Sequence, residues 1–185
     1  DDIVPLSIGD MELKNAPELV AGLQEYIGSS ILGYTEDTPA YRGAVRDWFR
    51  RRHQGDVDSE GIQTFDGVGP AMFCAVQALT QPGDGVIYMP PVYYPMHHAI
   101  VDSNREPVAV PLSLGREGYT IDFERLETVA ADPRTRLVLF CSPHNPVARM
   151  WTKEELQRFG RICIYNNVLV PADEIHMDFA MPGPN

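Results

Sequence analysis

An α/β fold, with a mainly parallel sheet and helices on both faces, is predicted by three observations. Amphipathic helical stretches alternate with short apolar runs along the chain. The apolar runs are near-continuous, as in strands buried on both faces, and helices separate them. Each run also stops abruptly at a turn or a polar cluster: DGVG, PPVYYP, SPHNP and DEIH.

The elements follow in order. APELVAGLQEYIGSS sets Leu19, Val20, Leu23 and Ile27 at helical spacing. A glycine-tyrosine turn, ILGYTEDTP, separates it from a second amphipathic helix, AYRGAVRDWFRRRH. GIQTF is expected as a short strand, leading through a glycine turn into the apolar helix of DGVGPAMFCAVQALTQ. PGDG makes a tight turn before the strand VIYM, which ends in PPVYYP. A helix over residues 97–103 precedes the strand PVAVPL. IDFERLETVAAD is a helix capped by Asp122. RLVLFC is a strand ending in SPHNP, and WTKEELQRFGRICIYNN is a helix whose Thr152 and Glu155 fit a capping box. VLVPAD is the last strand. There is no internal repeat and no low-complexity tract.

Composition narrows the function classes. With 185 residues, 44% apolar and 22% charged, the chain is expected to be a soluble globular domain with a real core. No run is long enough for a membrane-spanning helix, and the acidic start DDIVPL does not resemble a signal peptide. A formal charge of −11 argues against nucleic acid as a partner. Cys74, Cys141 and Cys163 are scattered and form no C-x-x-C pair, which fits reduced thiols in the cytoplasm. No metal is expected, because His144, Asp173, Glu174, His176 and Asp178 lack ligand spacing such as H-E-x-x-H. No G-x-S-x-G elbow is present either.

In a parallel sheet, ligands sit beyond the carboxyl ends of the strands, and the unusual residues all lie there. Gly67 and Gly69 bare the backbone at a helix N-terminus, where the first amides and the helix dipole suit a phosphate; a tight structural turn reads equally well. Tyr93 and Tyr94 could lay a ring on a flat ligand or simply pack. Asn145 could bond a ligand oxygen or only initiate the Asn-Pro bend. Asp173 emerges from an apolar strand. A carboxylate buried there without a partner costs on the order of several kcal/mol, so it calls for an arginine, exposure, or a protonated heteroaromatic nitrogen. His176 could orient the same ligand.

Taken together, SIGDMEL, ILGYTE, WFRRRH, GVGPA, QPGDGVIYMPPVYYP, CSPHNPVARMWTKEEL and VLVPADEIHMD resemble the fold-type-I pyridoxal-phosphate enzymes. The likeness is to the aminotransferase-like carbon–sulfur lyases of the MalY/PatB cystathionine β-lyase family, and it runs along almost the whole chain. It implies the large domain of the aspartate aminotransferase fold, present in part. Residues 1–30 would be an N-terminal segment contributing to the small domain, and 31–185 an incomplete domain binding pyridoxal 5'-phosphate (PLP).

The resemblance also implies roles. Gly67, Val68 and Gly69 would cradle the phosphate, Tyr93 would stack on the ring, and Asn145 would bond the ring hydroxyl with His176 nearby. Asp173 would pair with the ring nitrogen and keep it protonated. Tyr34 would reach into the neighbouring subunit of a homodimer. The implied reaction is β-elimination from cystathionine, cysteine or related S-conjugates to thiol, pyruvate and ammonia. An aminotransferase of the same fold, or a non-catalytic fragment with a binding or regulatory role, shares these motifs.

The chemistry requires a Schiff-base lysine, which the family places about thirty residues beyond D-E-I-H. The sequence runs nine residues past His176, and its two lysines, Lys14 and Lys153, match no such position. The expectation is therefore the N-terminal portion of an enzyme, with no certain catalytic residue and no activity alone. Three positions depart from the family pattern: Gly9, Ala148 where glycine is usual, and Pro171 within a strand.

Overall fold

The computed structural model describes residue 9 and residues 13–116 and 118–180. SIGDMEL lies outside them apart from Gly9 and Leu13. Two helices come first, α1 (Pro17–Ser29) and α2 (Pro39–His53). They are followed by α3 (Val68–Leu79), β1 (Gly85–Tyr88), α4 (Pro95–Val101) and β2 (Glu106–Ala109). A hairpin of β3 (Ser113–Gly115) and β4 (Gly118–Thr120) leads to α5 (Phe123–Ala130), β5 (Thr135–Val138) and β6 (Phe140–Cys141). The last elements are α6 (Lys153–Tyr165) and β7 (Ala172–Asp173).

The sheet is parallel in the order β2–β1–β5, and β7 pairs in parallel with β6. Successive strand residues point to opposite faces, and both faces are apolar. Val86, Leu137, Leu139 and Cys141 pack with Met72 and Val76 of α3 and Met96, Ala99 and Ile100 of α4. Ile87, Val138 and Phe140 pack on the other face with Leu126 of α5 and Phe159, Ile162 and Cys163 of α6. Each aliphatic side chain fully buried here contributes roughly 1.5–3 kcal/mol of hydrophobic stabilisation. The predicted two-faced α/β sheet is thus what forms.

Local signals hold where they are self-contained. The Asp122 carboxylate accepts from Arg125 N at 2.9 Å, and Thr152 and Glu155 close the reciprocal capping box. Four expectations change. GIQTF forms no strand: a 3₁₀ turn, Ser59–Gly61, precedes irregular chain, and no strand lies alongside it among the described residues. The helix expected over 97–103 starts and ends two residues earlier, at Pro95–Val101, since Pro95 fits the first helical turn. The β3–β4 hairpin is an addition to the expected elements: each strand is three residues long, too short for an alternating pattern to stand out.

The strands RLVLFC and VLVPAD are also interrupted. Leu169 N donates to Arg136 O, and the next residue facing that side is Pro171, which has no N–H to offer. Pairing resumes only where the Pro171 and Asp173 carbonyls accept from Phe140 N and Ser142 N, both at 3.0 Å.

Candidate functional site

The strand ends meet at one edge of the sheet, around a cavity of about 280 Å³. Its walls carry Val68, Gly69, Tyr93, Asn145, Asp173 and His176, with Cys141 and Ile175 completing them. Gly67 adjoins it as the residue before α3. Tyr34, fully exposed, is not among the lining residues. A second cavity of about 420 Å³ shares Asn145 and His176 with the first and continues past Met150 and Phe179.

At the α3 end, Gly67 has φ +111°, a conformation that suits glycine and strains other residues. No side chain caps the helix, and Pro70 supplies no donor, so the Val68 and Gly69 amides are the open donors of the first turn. A Cβ on either glycine would meet no protein atom within 4 Å. The space above this backbone is free for a ligand.

Asp173 is held at the opposite side. It is 7% exposed, and its Oδ1 accepts from Ile175 N at 3.2 Å. Among the described residues no Arg, Lys or His nitrogen lies within 4.0 Å of it as an ion pair, so the arginine partner weighed above is not found. A buried carboxylate left to one backbone bond presents its negative charge to the cavity.

Tyr93 is partly exposed, with its ring tilted 52° to that of Tyr94. The Asn145 backbone N–H donates to Cys141 Sγ at 3.4 Å. Burial pushes the Cys141 thiol up to about 11, so sulfur enters the wall as neutral S–H. His144 is buried, its Nε2 3.0 Å from the Pro91 carbonyl, and burial holds its imidazole below the usual range. Among the described residues, no group of three His, Cys, Asp or Glu side chains gathers as metal ligands would.

Sequence reasoning passed over two contributions. Cys141 read only as a core thiol, although it ends the apolar run RLVLFC and so reaches the site edge. Asp178 closes the DEIHMD motif, yet its partners lie far back in the chain: Trp48 Nε1 donates to its Oδ2 and His53 Nε2 to its Oδ1, each at 2.9 Å.

A parallel α/β sheet with an anion-ready helix terminus and a buried carboxylate at the strand ends defines the class of protein. The chain belongs to the aminotransferase class I and II family, which it matches over residues 1–185. It is 38% identical to cystathionine β-lyase PatB of Bacillus subtilis (strain 168), across 98% of this chain and 47% of that protein. Protein MalY of Escherichia coli (strain K12) is 31% identical, across 96% of this chain and 46% of that one. Cystalysin from Treponema denticola, whose structure contains a PLP cofactor, superposes with a TM-score of 0.95 at 46% identity, covering 98% of this chain and 46% of its own. The chain therefore spans about half the length of the curated relatives it matches.

Proposed function

We propose that the strand-end cavity binds PLP and that the chain supplies the cofactor-binding part of a carbon–sulfur β-lyase. The observation that carries this reading is the buried Asp173 carboxylate, without a cationic partner among the described residues, lining the same cavity as the uncapped start of α3. The donor set fits PLP's three kinds of group. Open amides at Val68 and Gly69 suit the phosphate, the Tyr93 ring suits a flat heterocycle, and Asn145 suits a ring oxygen. When bound, PLP supplies an electron-accepting ring that stabilises negative charge at a substrate's α-carbon.

The chain's own residues then hold and orient. Asp173 keeps a proton on a heteroaromatic nitrogen placed against it, since separating the pair would leave a buried charge uncompensated. The α3 dipole and its two amides hold a dianion without a counter-ion. Asn145 and His176 both line the cavity and would limit the in-plane rotation of the ring. The required lysine amine is neither Lys14 nor Lys153 among the lining residues, so the chain's part in this reading is confined to holding the cofactor.

The likeness to PatB and cystalysin favours cystathionine and related sulfur amino acids as substrates. The family's own description keeps an aminotransferase as the alternative. Products separate them: pyruvate, ammonia and a free thiol for elimination, an oxo acid with pyridoxamine 5'-phosphate for transfer. The same reading makes 1–30 part of a small domain, in keeping with an α1 that has no buried residue while Leu19, Leu23 and Ile27 stay exposed. It makes Tyr34 a reach across a homodimer and the cytoplasm the compartment of its three free thiols. No described helix is long and apolar enough to cross a membrane.

The test is a binding titration with pyridoxamine 5'-phosphate, which lacks the aldehyde and cannot react by chance with Lys14 or Lys153. Saturable binding that Asp173→Ala weakens roughly tenfold or more is expected. An Asp173→Ala chain that binds as well as the wild type would sink the proposal.

A further inference from the structure

The segment after β7 carries His176 into the shared wall of both cavities, yet little of its own packing fixes it. Glu174, Ile175 and Phe179 are exposed, and its backbone bonds are local turns, Met177 N to Glu174 O and Phe179 N to His176 O. Among the described residues its long-range side-chain tie is Asp178. Both of its carboxylate oxygens are engaged, Oδ2 by the Trp48 indole and Oδ1 by His53 Nε2, at 2.9 Å each. The two donors sit on one helix, α2, more than a hundred residues earlier.

Those donors are themselves held. The Arg52 guanidinium lies 5.5 Å over the Trp48 ring, and the Phe49 and His53 rings are 5.6 Å apart. The receiving end is thus an arranged pair of N–H groups. A carboxylate held by two donors from one rigid element loses both translation and rotation, which one bond would not achieve. In turn, α2 has no buried residue of its own, so this polar contact couples it to the sheet edge.

We infer that Asp178 is a positioning residue: clamped between Trp48 and His53, it fixes the Glu174–Phe179 segment and so sets where His176 stands in the cavity wall. The functional half of this inference rests on the PLP reading, whereas the anchoring half does not. A cofactor bound against His176 then meets a side chain already in place and does not have to order the segment itself.

The experiment measures amide hydrogen exchange and pyridoxamine 5'-phosphate affinity in the 185-residue chain at pH 8. In Asp178→Ala, the amides of residues 175–179 should exchange faster while those of β1 and β5 do not change. Affinity should fall roughly tenfold, as losing charge-assisted hydrogen bonds predicts. Asp178→Asn should recover part of both, because its amide oxygen still accepts from Trp48 Nε1 while the charge assistance is lost. Trp48→Phe keeps the ring, removes one donor, and should fall between; it also serves if Asp178→Ala does not fold. Unchanged exchange at 175–179 overturns the inference whatever the probe does, and so does faster exchange with unchanged affinity. If the wild type binds no probe, the PLP reading fails and exchange alone decides the clamp.

Discussion

His144 joins two loops whose sequence positions are 53 residues apart, its Nε2 lying 3.0 Å from the carbonyl oxygen of Pro91. A carbonyl can only accept, so the proton is on Nε2. Nδ1 is left bare and buried, without a hydrogen-bond partner among the described residues. The bond spans the loop that leads to Tyr93 and the loop that carries Asn145, the two groups facing the proposed ring from different strands.

A pH dependence of stability follows. Protonating Nδ1 would place a charge in the interior, and the burial that disfavours it lowers this pKa from 6.5 even though the backbone around the ring, at Pro91, Cys141 and Met89, acts to raise it. Below 6.5 the unfolded chain takes up the proton before the folded one does. Stability is therefore complete above 6.5, falls as pH drops through it, and levels off at the lower folded value. The slope is at most about 1.4 kcal/mol per pH unit. Urea unfolding between pH 8 and 5 should show this slope in the wild type and a shallower one in His144→Leu. Equal slopes would mean that His144 does not titrate as a buried neutral group.

The three thiols should separate by reactivity. Cys74 is exposed on α3, while Cys141 and Cys163 are buried and each pushed up to about 11 by that burial. At pH 8 a thiol of that pKa is about one part in a thousand thiolate, before access is counted. A colorimetric disulfide reagent should therefore find one fast thiol in the folded chain, lost in Cys74→Ser, and three in denaturant. A second fast thiol would place Cys141 or Cys163 closer to solvent than the packing allows.

What could be read from the sequence was what its neighbours in sequence decide. Thr152 and Glu155 cap α6 as a three-residue spacing predicts, and Asp173 stands where an apolar run ends in polar residues. Pro171 was marked as awkward and is where the pairing of RLVLFC with VLVPAD breaks. GIQTF failed because a strand needs a partner ladder, which local apolar content cannot supply. The Asp178 clamp was illegible for a similar reason: Trp48 and His53 look like ordinary members of a charged helix until the fold brings DEIHMD to them. His144 was weighed only as a metal ligand, since nothing near it in sequence announces the Pro91 carbonyl.

Ala148 offers a test of backbone strain. It has φ +52°, in the left-handed region where a Cβ crowds the following carbonyl at roughly 1 kcal/mol or more. It sits in the turn that His144 N closes by donating to Arg149 O at 2.9 Å, so the conformation is imposed by that bridge. Asn104 and Asn167 also have positive φ, but asparagine tolerates it better than alanine. Ala148→Gly should therefore stabilise the chain by roughly 0.5–1 kcal/mol, after subtracting glycine's greater freedom when unfolded. Ala148→Val should do the opposite, because branching at Cβ worsens the same crowding. The check is the urea midpoint at pH 8 with an unchanged m-value. Three equal midpoints would mean that the turn relaxes to negative φ in solution and stores no strain.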